Sequence, residues 1–103
     1  MNTLKIGKEF PIYEIDTIER VIAQGTSGMV LLNKEWIDKK VVVISGTYTE
    51  DEIKKITFPE CIEKTVKPRK RKEKGEVKIR NGYVYVPPNL IHSSVTVILV
   101  DPI

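Results

Sequence analysis

An internal repeat constrains the fold of this chain more than any other feature. Residues 27–44 align with residues 81–98 without a gap, at an offset of 54 positions. Nine of the ten apolar positions in the first segment are also apolar in the second, and only Val42, which aligns with Thr96, departs from this rule. Six of the 18 aligned pairs are identical: Gly28/Gly82, Val30/Val84, Ile37/Ile91, Val41/Val95, Val43/Val97 and Ile44/Ile98. A fixed offset of this kind is typical of two copies of one supersecondary unit, here a β–turn–β unit.

The strand before each copy repeats as well. Residues 18–22 resemble residues 62–66 at an offset of 44, so the second copy carries an insertion of ten residues before its glycine. The expected organisation is a single domain over residues 1–103, with repeats at 18–46 and 62–100, a linking helix at about 50–56 and a basic insertion at about 67–78. We expect the insertion to form a long loop on the repeated scaffold. The alternative is that two hairpins in a chain rich in Ile and Val resemble each other through composition alone.

Composition and local patterns favour strands. Ala23 is the only alanine, whereas the β-branched residues Ile and Val are abundant. Thr49 and Glu52 form a capping box, which predicts the start of the short helix. Asn81 and Gly82 both tolerate positive φ, so together they predict a hairpin turn. Apolar runs and alternation predict strands at residues 10–16, 18–22, 29–32, 41–44, 62–66, 76–80, 83–86 and 95–100. The predicted fold class is therefore mainly β.

Positive charge is concentrated in one stretch. Residues 64–80 contain nine basic and two acidic residues, a net charge of +7, whereas the remaining 86 residues carry 8 basic and 12 acidic groups, a net charge of −4. Such a stretch can bind phosphates through charge and counterion release. It contains no aromatic residue, so we do not expect base stacking within it. The alternative is a solvated, flexible loop without a ligand.

The repeated segments resemble a known family. The first copy reads Gly25-Thr26-Ser27-Gly28 and then Asn33-Lys34-Glu35-Trp36-Ile37, and the second reads Asn81-Gly82 and then Pro87-Pro88-Asn89-Leu90-Ile91. This pattern resembles the AbrB/MazE/SpoVT-type swapped-hairpin domains, most closely the short form in small archaeal transposon-encoded proteins. The resemblance implies two hairpins interlocked into one small barrel that binds double-stranded DNA through basic residues, as a transcriptional regulator or an antitoxin. Two copies in one chain would form that barrel within a monomer, and a homodimer is the alternative.

Two departures from the family pattern affect the choice of DNA-contacting residues. A basic residue often follows the glycine in AbrB-like proteins, but Met29 and Tyr83 occupy that position here, and Asn33 replaces the proline of the turn. We therefore predict the contacts from charge as well as from the repeat. The candidate DNA-binding residues are Arg20, Lys34, Lys39, Lys40, Lys64, Lys67, Arg69, Lys70, Arg71, Lys72, Lys74, Lys78 and Arg80.

Other reactive or aromatic side chains have simple structural interpretations. Tyr83 and Tyr85 alternate about Val84 and so share one face of a strand, where they either stack on a ligand or pack on the sheet. Trp36 is expected in the core, His92 at the surface and Cys61 as a small buried apolar residue. The acidic run at residues 50–52 suits a helix N-terminus better than a metal site. Because no catalytic motif appears, we expect a non-enzyme without cofactor, metal or small-molecule substrate.

A second function class remains open from the sequence. The chain can be a protein-interaction module, such as an antitoxin-like inhibitor or a viral or mobile-element accessory protein, that recruits a partner strand at a sheet edge. No apolar run is long enough for a membrane helix, and the first residues lack the apolar core of a signal peptide, so we expect a cytoplasmic protein. High Lys and Glu with a single Gln resembles hyperthermophile usage, although an AT-rich genome produces a similar bias.

Overall fold

The fold is built almost entirely from short antiparallel strands. The computed structural model describes residues 3–6, 8–55 and 62–102, and these are mainly β-strand, which confirms the predicted fold class. The strands are β1 (Thr3–Ile6), β2 (Lys8–Pro11), β3 (Glu14–Ile18), β4 (Ile22–Gln24), β5 (Ser27–Leu32), β6 (Lys40–Ser45), β7 (Ile62–Thr65), β8 (Lys67–Glu73), β9 (Glu76–Val86) and β10 (Val95–Leu99). Helix α1 spans Glu50–Lys55, and single 3-10 turns lie at Lys34–Trp36 and Pro88–Leu90.

Eight of these strands form two four-stranded antiparallel sheets. Sheet I has the order β3-β10-β6-β7, and sheet II has the order β4-β5-β9-β8. β1 and β2 pair separately as a hairpin. The resemblance implied one closed barrel, but the described strands form two open ladders instead.

The two sequence copies are arranged about a local two-fold axis. In sheet II, Val30 pairs with Val84, and in sheet I, Val43 pairs with Val97. Each pair joins residues 54 positions apart, so each repeated strand lies opposite its own counterpart. The first strand of each copy pairs with the last strand of the other, β3 with β10 and β7 with β6. Each half therefore completes the sheet of the other.

The backbone register corrects the alignment of the two copies at the corner that follows the first strand. Within β3 and β7 themselves, where Asp16 pairs with Val97 and Ile62 pairs with Val43, the offset is 46. Val21 N donates to Ser93 O at 2.9 Å, and Val66 N donates to Lys39 O at 2.9 Å. Because Lys39 and Ser93 are themselves 54 positions apart, Val21 corresponds to Val66, at an offset of 45 instead of 44. The insertion is therefore nine residues and not ten. The predicted strand over residues 18–22 is interrupted at residues 19–21, where the chain turns from sheet I into sheet II.

The repeated glycines make room for the chain where it crosses from sheet I to sheet II, and neither of them forms a hairpin turn. A Cβ at Gly28 would lie 2.8 Å from Val21 Cγ1, and a Cβ at Gly82 would overlap Val66 Cγ1. Only a residue without a side chain lets the crossing chain approach so closely. The turn predicted at Asn81–Gly82 is wrong, because both residues lie inside β9. The predicted long loop is wrong as well, since the inserted residues continue β8 and β9 as strands.

The main core lies between the two sheets. Trp36 is 3% exposed and joins this core, as predicted, and its counterpart Leu90 is buried in the same cluster. The indole Nε1 of Trp36 donates to Glu14 Oε2 at 3.1 Å, so its polar atom is satisfied. The remaining members are mostly valines from both halves: Val21, Val30, Val41, Val43, Val66, Val84, Val86, Val95 and Val97, with Leu32 and Leu99.

A second apolar cluster covers the other face of sheet I. Ile53 of α1 and Phe10 of β2 pack there with residues of β6 and β10, which explains why these two strands are buried at every central position. Thr96, the one departure from apolar repetition, is fully buried. Its Oγ1 donates to Gly46 O at 2.8 Å and accepts from Tyr48 N at 3.1 Å. The hydroxyl therefore satisfies one backbone acceptor and one backbone donor beside it.

Helix α1 lies between the two copies in the chain, and it begins at Glu50, directly after the predicted N-cap residue. Thr49 N donates to Glu52 Oε1 at 3.0 Å, and Glu52 N donates to Thr49 Oγ1 at 3.2 Å, which confirms the capping box. The predicted end of the helix at Ile56 and the predicted burial of Cys61 fall at positions outside the described residues. No described helix has the length and apolar character needed to cross a bilayer.

Candidate nucleic-acid interface

The inserted residues extend a two-stranded ribbon, here called the basic arm, that comprises residues 67–80. β5 pairs with β9 only at Gly82–Val86, so the arm beyond Asn81 is held by pairing between β8 and β9 alone. Lys74 and Gly75 form its turn, with φ of 49° and 80°. Two consecutive residues with positive φ are typical of the tight turn that matches strand twist. The five residues from Arg69 to Glu73 give the free ribbon a length of about 16 Å.

Charge on the basic arm is strongly one-sided. The arm contains eight basic and two acidic residues, a net charge of +6. Arg71 lies directly opposite Lys78, and Glu73 lies directly opposite Glu76. Like charges across a strand pair are unfavourable, so the Arg71–Lys78 pair does not stabilise the ribbon by itself. Bound anions would remove that repulsion. The exposed basic residues of the arm are Lys67, Lys70, Arg71, Lys72, Lys74, Lys78 and Arg80, and Arg69 is half-buried.

A β-bulge lies near the base of the arm. Arg69 pairs with Asn81, but Lys70 pairs with Ile79, so Arg80 has no cross-strand partner in the ladder. The Arg80 Nη2 atom instead donates to Glu73 Oε2 at 2.8 Å. Bulges bend and twist the strand that carries them. Because Arg80 already contacts a carboxylate, we rank it below the other predicted arm residues as a phosphate ligand.

An aromatic cleft, here called the tyrosine cleft, lies where the arm joins sheet II. The Tyr83 and Tyr85 rings meet edge to face with centroids 5.0 Å apart, which confirms that they share one face of the strand. Lys67 lies directly opposite Tyr83 in the ladder. The cleft has a volume of about 480 Å³, and Gln24 and Met29 line it together with the tyrosines, Lys67 and Arg69. A smaller groove of about 90 Å³ borders the same tyrosines and contains Lys64.

The sequence predicted the tyrosines and the basic stretch on opposite sides of a turn. In the structure, basic residues and the two tyrosines line the same cleft. With a turn at Asn81–Gly82, Tyr83 would have faced Arg80 across a short hairpin. The actual turn at Lys74–Gly75 instead brings Lys67 opposite Tyr83. Gln24 and Met29 were not predicted as site residues. The sequence signal for Met29 is the repeat itself, which aligns it with Tyr83 at the position after the glycine.

The predicted basic residues outside the arm differ in their exposure and in whether an acidic side chain already pairs with them. Lys40 Nζ lies 3.0 Å from Glu63 Oε1. This hydrogen bond and the charge of Glu63 raise the pKa of Lys40 above its usual value, so Lys40 stays protonated and its charge is already paired with that of Glu63. Arg20 is exposed at the corner between β3 and β4, Lys34 is exposed in the first 3-10 turn, and Lys39 is half-buried. Of the non-arm residues, only Lys64 lies beside the tyrosines.

A second groove lies elsewhere on the molecule and suits anions poorly. Its volume is about 450 Å³, and its charged lining residues are the acids Glu14, Glu50 and Glu52. Glu14 accepts the hydrogen bond from Trp36, and Glu52 caps α1. These two carboxylates therefore have structural partners. Among the described residues, no group of three or more His, Cys, Asp or Glu side chains is arranged to hold a metal ion.

His92 is exposed, as predicted. Its φ of 68° matches the 69° of its counterpart Asp38, so both copies turn the chain in the same way at this point.

No protein-family model, curated protein or solved structure matches this chain. The functional assignment therefore rests on the charge, geometry and exposure of the basic arm and the tyrosine cleft.

Proposed function

We propose that this chain is a small DNA-binding protein whose basic arm contacts the phosphates of double-stranded DNA. The observation that supports the proposal most directly is the arm itself, an exposed ribbon with a net charge of +6. The major groove, about 12 Å wide, admits a two-stranded β-ribbon. Phosphate contacts from lysine and arginine release counterions, and this release drives binding without sequence preference.

The arm also favours DNA over a partner strand. A protein-interaction module would use an exposed sheet edge to add a strand from its partner. One edge of sheet II is β8, which carries Pro68 and then consecutive charges at Arg69, Lys70, Arg71 and Lys72. Charges and proline on an edge strand oppose the addition of another strand. The interaction module therefore ranks second.

We further propose kinship with the AbrB-like swapped-hairpin regulators, and a role in transcription control. The pairing of Val30 with Val84 and of Val43 with Val97 supports this kinship, because each copy meets its own counterpart. The exchange of first strands between the halves supports it as well. A swapped arrangement within one chain would give the two-fold scaffold that family members obtain from two chains.

Salt-dependent titration tests the DNA proposal. The test variant is Arg71→Ala with Lys72→Ala, and the matched control is Lys54→Ala with Lys55→Ala, which removes the same charge from α1. Fluorescence anisotropy with a blunt labelled duplex is recorded between about 50 and 200 mM salt. We expect several-fold weaker binding for the arm variant, with a salt slope reduced by up to about 1.8, since each lost phosphate contact removes about 0.9.

The control shows whether DNA affinity depends on where the positive charge is removed or only on the net charge of the protein. If the α1 variant binds with unchanged affinity and slope, the arm is the contact surface. If both variants lose affinity equally, net charge alone explains binding and the arm assignment is wrong. Unchanged duplex affinity in the arm variant would also contradict it.

A further inference from the structure

The tyrosine cleft contains chemistry that the phosphate contacts of the arm do not use. Tyr85 is 44% exposed, although large aromatic side chains are usually buried. Its neighbour Tyr83 meets it edge to face instead of stacking on it. An exposed aromatic pair beside an open cleft of about 480 Å³ lies within the roughly 300–1,000 Å³ range of ligand sites.

The residues around the tyrosines provide three kinds of contact. Met29 is 4% exposed and lines the cleft, which gives it an apolar element. Gln24 provides an amide that can both donate and accept hydrogen bonds. Lys67 borders both the cleft and the smaller groove, so it contributes a cation to both spaces along the aromatic pair.

These contacts fit one class of ligand. A nucleotide has a flat aromatic base, hydrogen-bonding groups on the edge of the base, and a phosphate on each side of it. Proteins that bind single strands combine aromatic side chains for the bases with a basic groove for the backbone. Within a duplex the bases are stacked on one another, so only an unpaired base can reach the tyrosines.

We propose that the tyrosine cleft binds an unpaired DNA base while the basic arm holds the adjoining duplex. This inference rests on the proposed DNA-binding function and specifies its substrate, a duplex that carries a single-stranded segment. Lys67 belongs to both surfaces and connects them, because it begins the arm and also lies opposite Tyr83. The DNA backbone can thus continue from the arm to the tyrosines without leaving basic surface.

The experiment compares three DNA probes and three variants. The probes are a blunt duplex, the same duplex with an oligothymidine tail, and oligothymidine alone. The test variant is Tyr85→Ala, and Tyr85→Phe keeps the ring. Tyr13→Ala is the matched control, because Tyr13 is 42% exposed and borders the acidic groove instead. Circular dichroism of each variant establishes that the fold is retained.

We expect the wild-type chain to bind the tailed duplex more tightly than the blunt one. Tyr85→Ala should weaken binding to the tailed duplex and to oligothymidine by roughly 5- to 150-fold, the usual effect of removing one stacking side chain. Its affinity for the blunt duplex should not change. Tyr85→Phe and Tyr13→Ala should behave as wild type on all three probes.

The outcomes separate this inference from the proposed function. Equal binding of tailed and blunt duplexes, or wild-type binding of oligothymidine by Tyr85→Ala, overturns the cleft assignment and leaves the arm intact. An equal loss in Tyr13→Ala overturns it as well. Oligothymidine binding that depends on Tyr85, without any binding of the blunt duplex, supports the cleft and refutes the duplex function. Failure to bind any probe refutes both.

Discussion

At the scale of single residues, the two repeated glycines are fixed by tertiary contact. Neither Gly28 nor Gly82 has positive φ, so neither is needed for a turn. Each instead leaves room for a corner valine, Val21 or Val66, where the chain passes from one sheet to the other. Because the interior is close-packed, even one added methyl group must displace backbone or side chains.

Gly82→Ala should therefore destabilise the protein by about 1–3 kcal/mol, the usual effect of overpacking a core. Equilibrium unfolding in denaturant measures this loss. The second change Val66→Ala removes the atom that the new Cβ would overlap. We expect the double variant to be more stable than the sum of the two single losses predicts. Strictly additive losses would show that the contact with Val66 is not the cause.

At the scale of elements, the basic arm and the β4–β5 hairpin are the same structural element at two lengths. Gln24 and Ser27 end the short hairpin, and Arg69 and Asn81 occupy the corresponding pairs in the second copy. Only Gly25 and Thr26 lie between the first pair, whereas residues 70–80 lie between the second. Residues 67–80 contribute nothing to either apolar cluster. The arm is thus an addition to a core that does not depend on it.

Excision of the arm tests this modularity. Replacing residues 70–80 by Gly-Thr copies the short hairpin into the second half, removes six basic and two acidic residues, and lowers the net charge from +3 to −1. We expect the shortened chain to retain cooperative thermal unfolding and its β-type circular dichroism spectrum. Duplex binding should be lost, because the phosphate contacts are lost. A shortened chain that is unfolded, or that binds duplex as before, would contradict this view.

At the scale of the whole molecule, the two halves depend on each other. β3 and β7 lie in sheet I beside strands of the opposite copy, and sheet II places β5 beside β9 at the two-fold axis. Most core valines also pack across the two halves. The internal pairing already provides the two-fold scaffold, so a second chain is not needed to complete either sheet.

We therefore expect a monomer in solution. Light scattering across a range of concentrations should give the chain mass of 11.8 kDa without dependence on concentration. The measurement is best made with and without duplex, since DNA can bring two chains together without a protein interface. A stable mass of twice that value in the absence of DNA would favour the homodimer instead, and would indicate that an exposed sheet edge takes part in assembly.

The candidate site was only partly predictable. The concentration of lysine and arginine in residues 64–80 is visible in the sequence, because charge needs no fold to be counted. The proximity of Lys67 to Tyr83 is not visible, since it depends on where the hairpin turns. The local preference of Asn81–Gly82 for a turn was outweighed by the need for a glycine beside Val66. Lys40 was predicted as a DNA contact, but its ion pair with Glu63 comes from strand pairing.

Features that depend on neighbouring residues or on repetition can be read from the amino-acid order: the strand-rich character, the helix cap at Thr49, the 54-residue offset and the buried Trp36. Three features emerge only in the folded chain: each copy pairs with its own counterpart, the insertion is a ribbon, and a basic and an aromatic surface meet. Propensity and periodicity act over a few residues, whereas strand pairing and the overlap at Gly82 join residues far apart in the chain. Those long-range contacts override local preference wherever the two conflict.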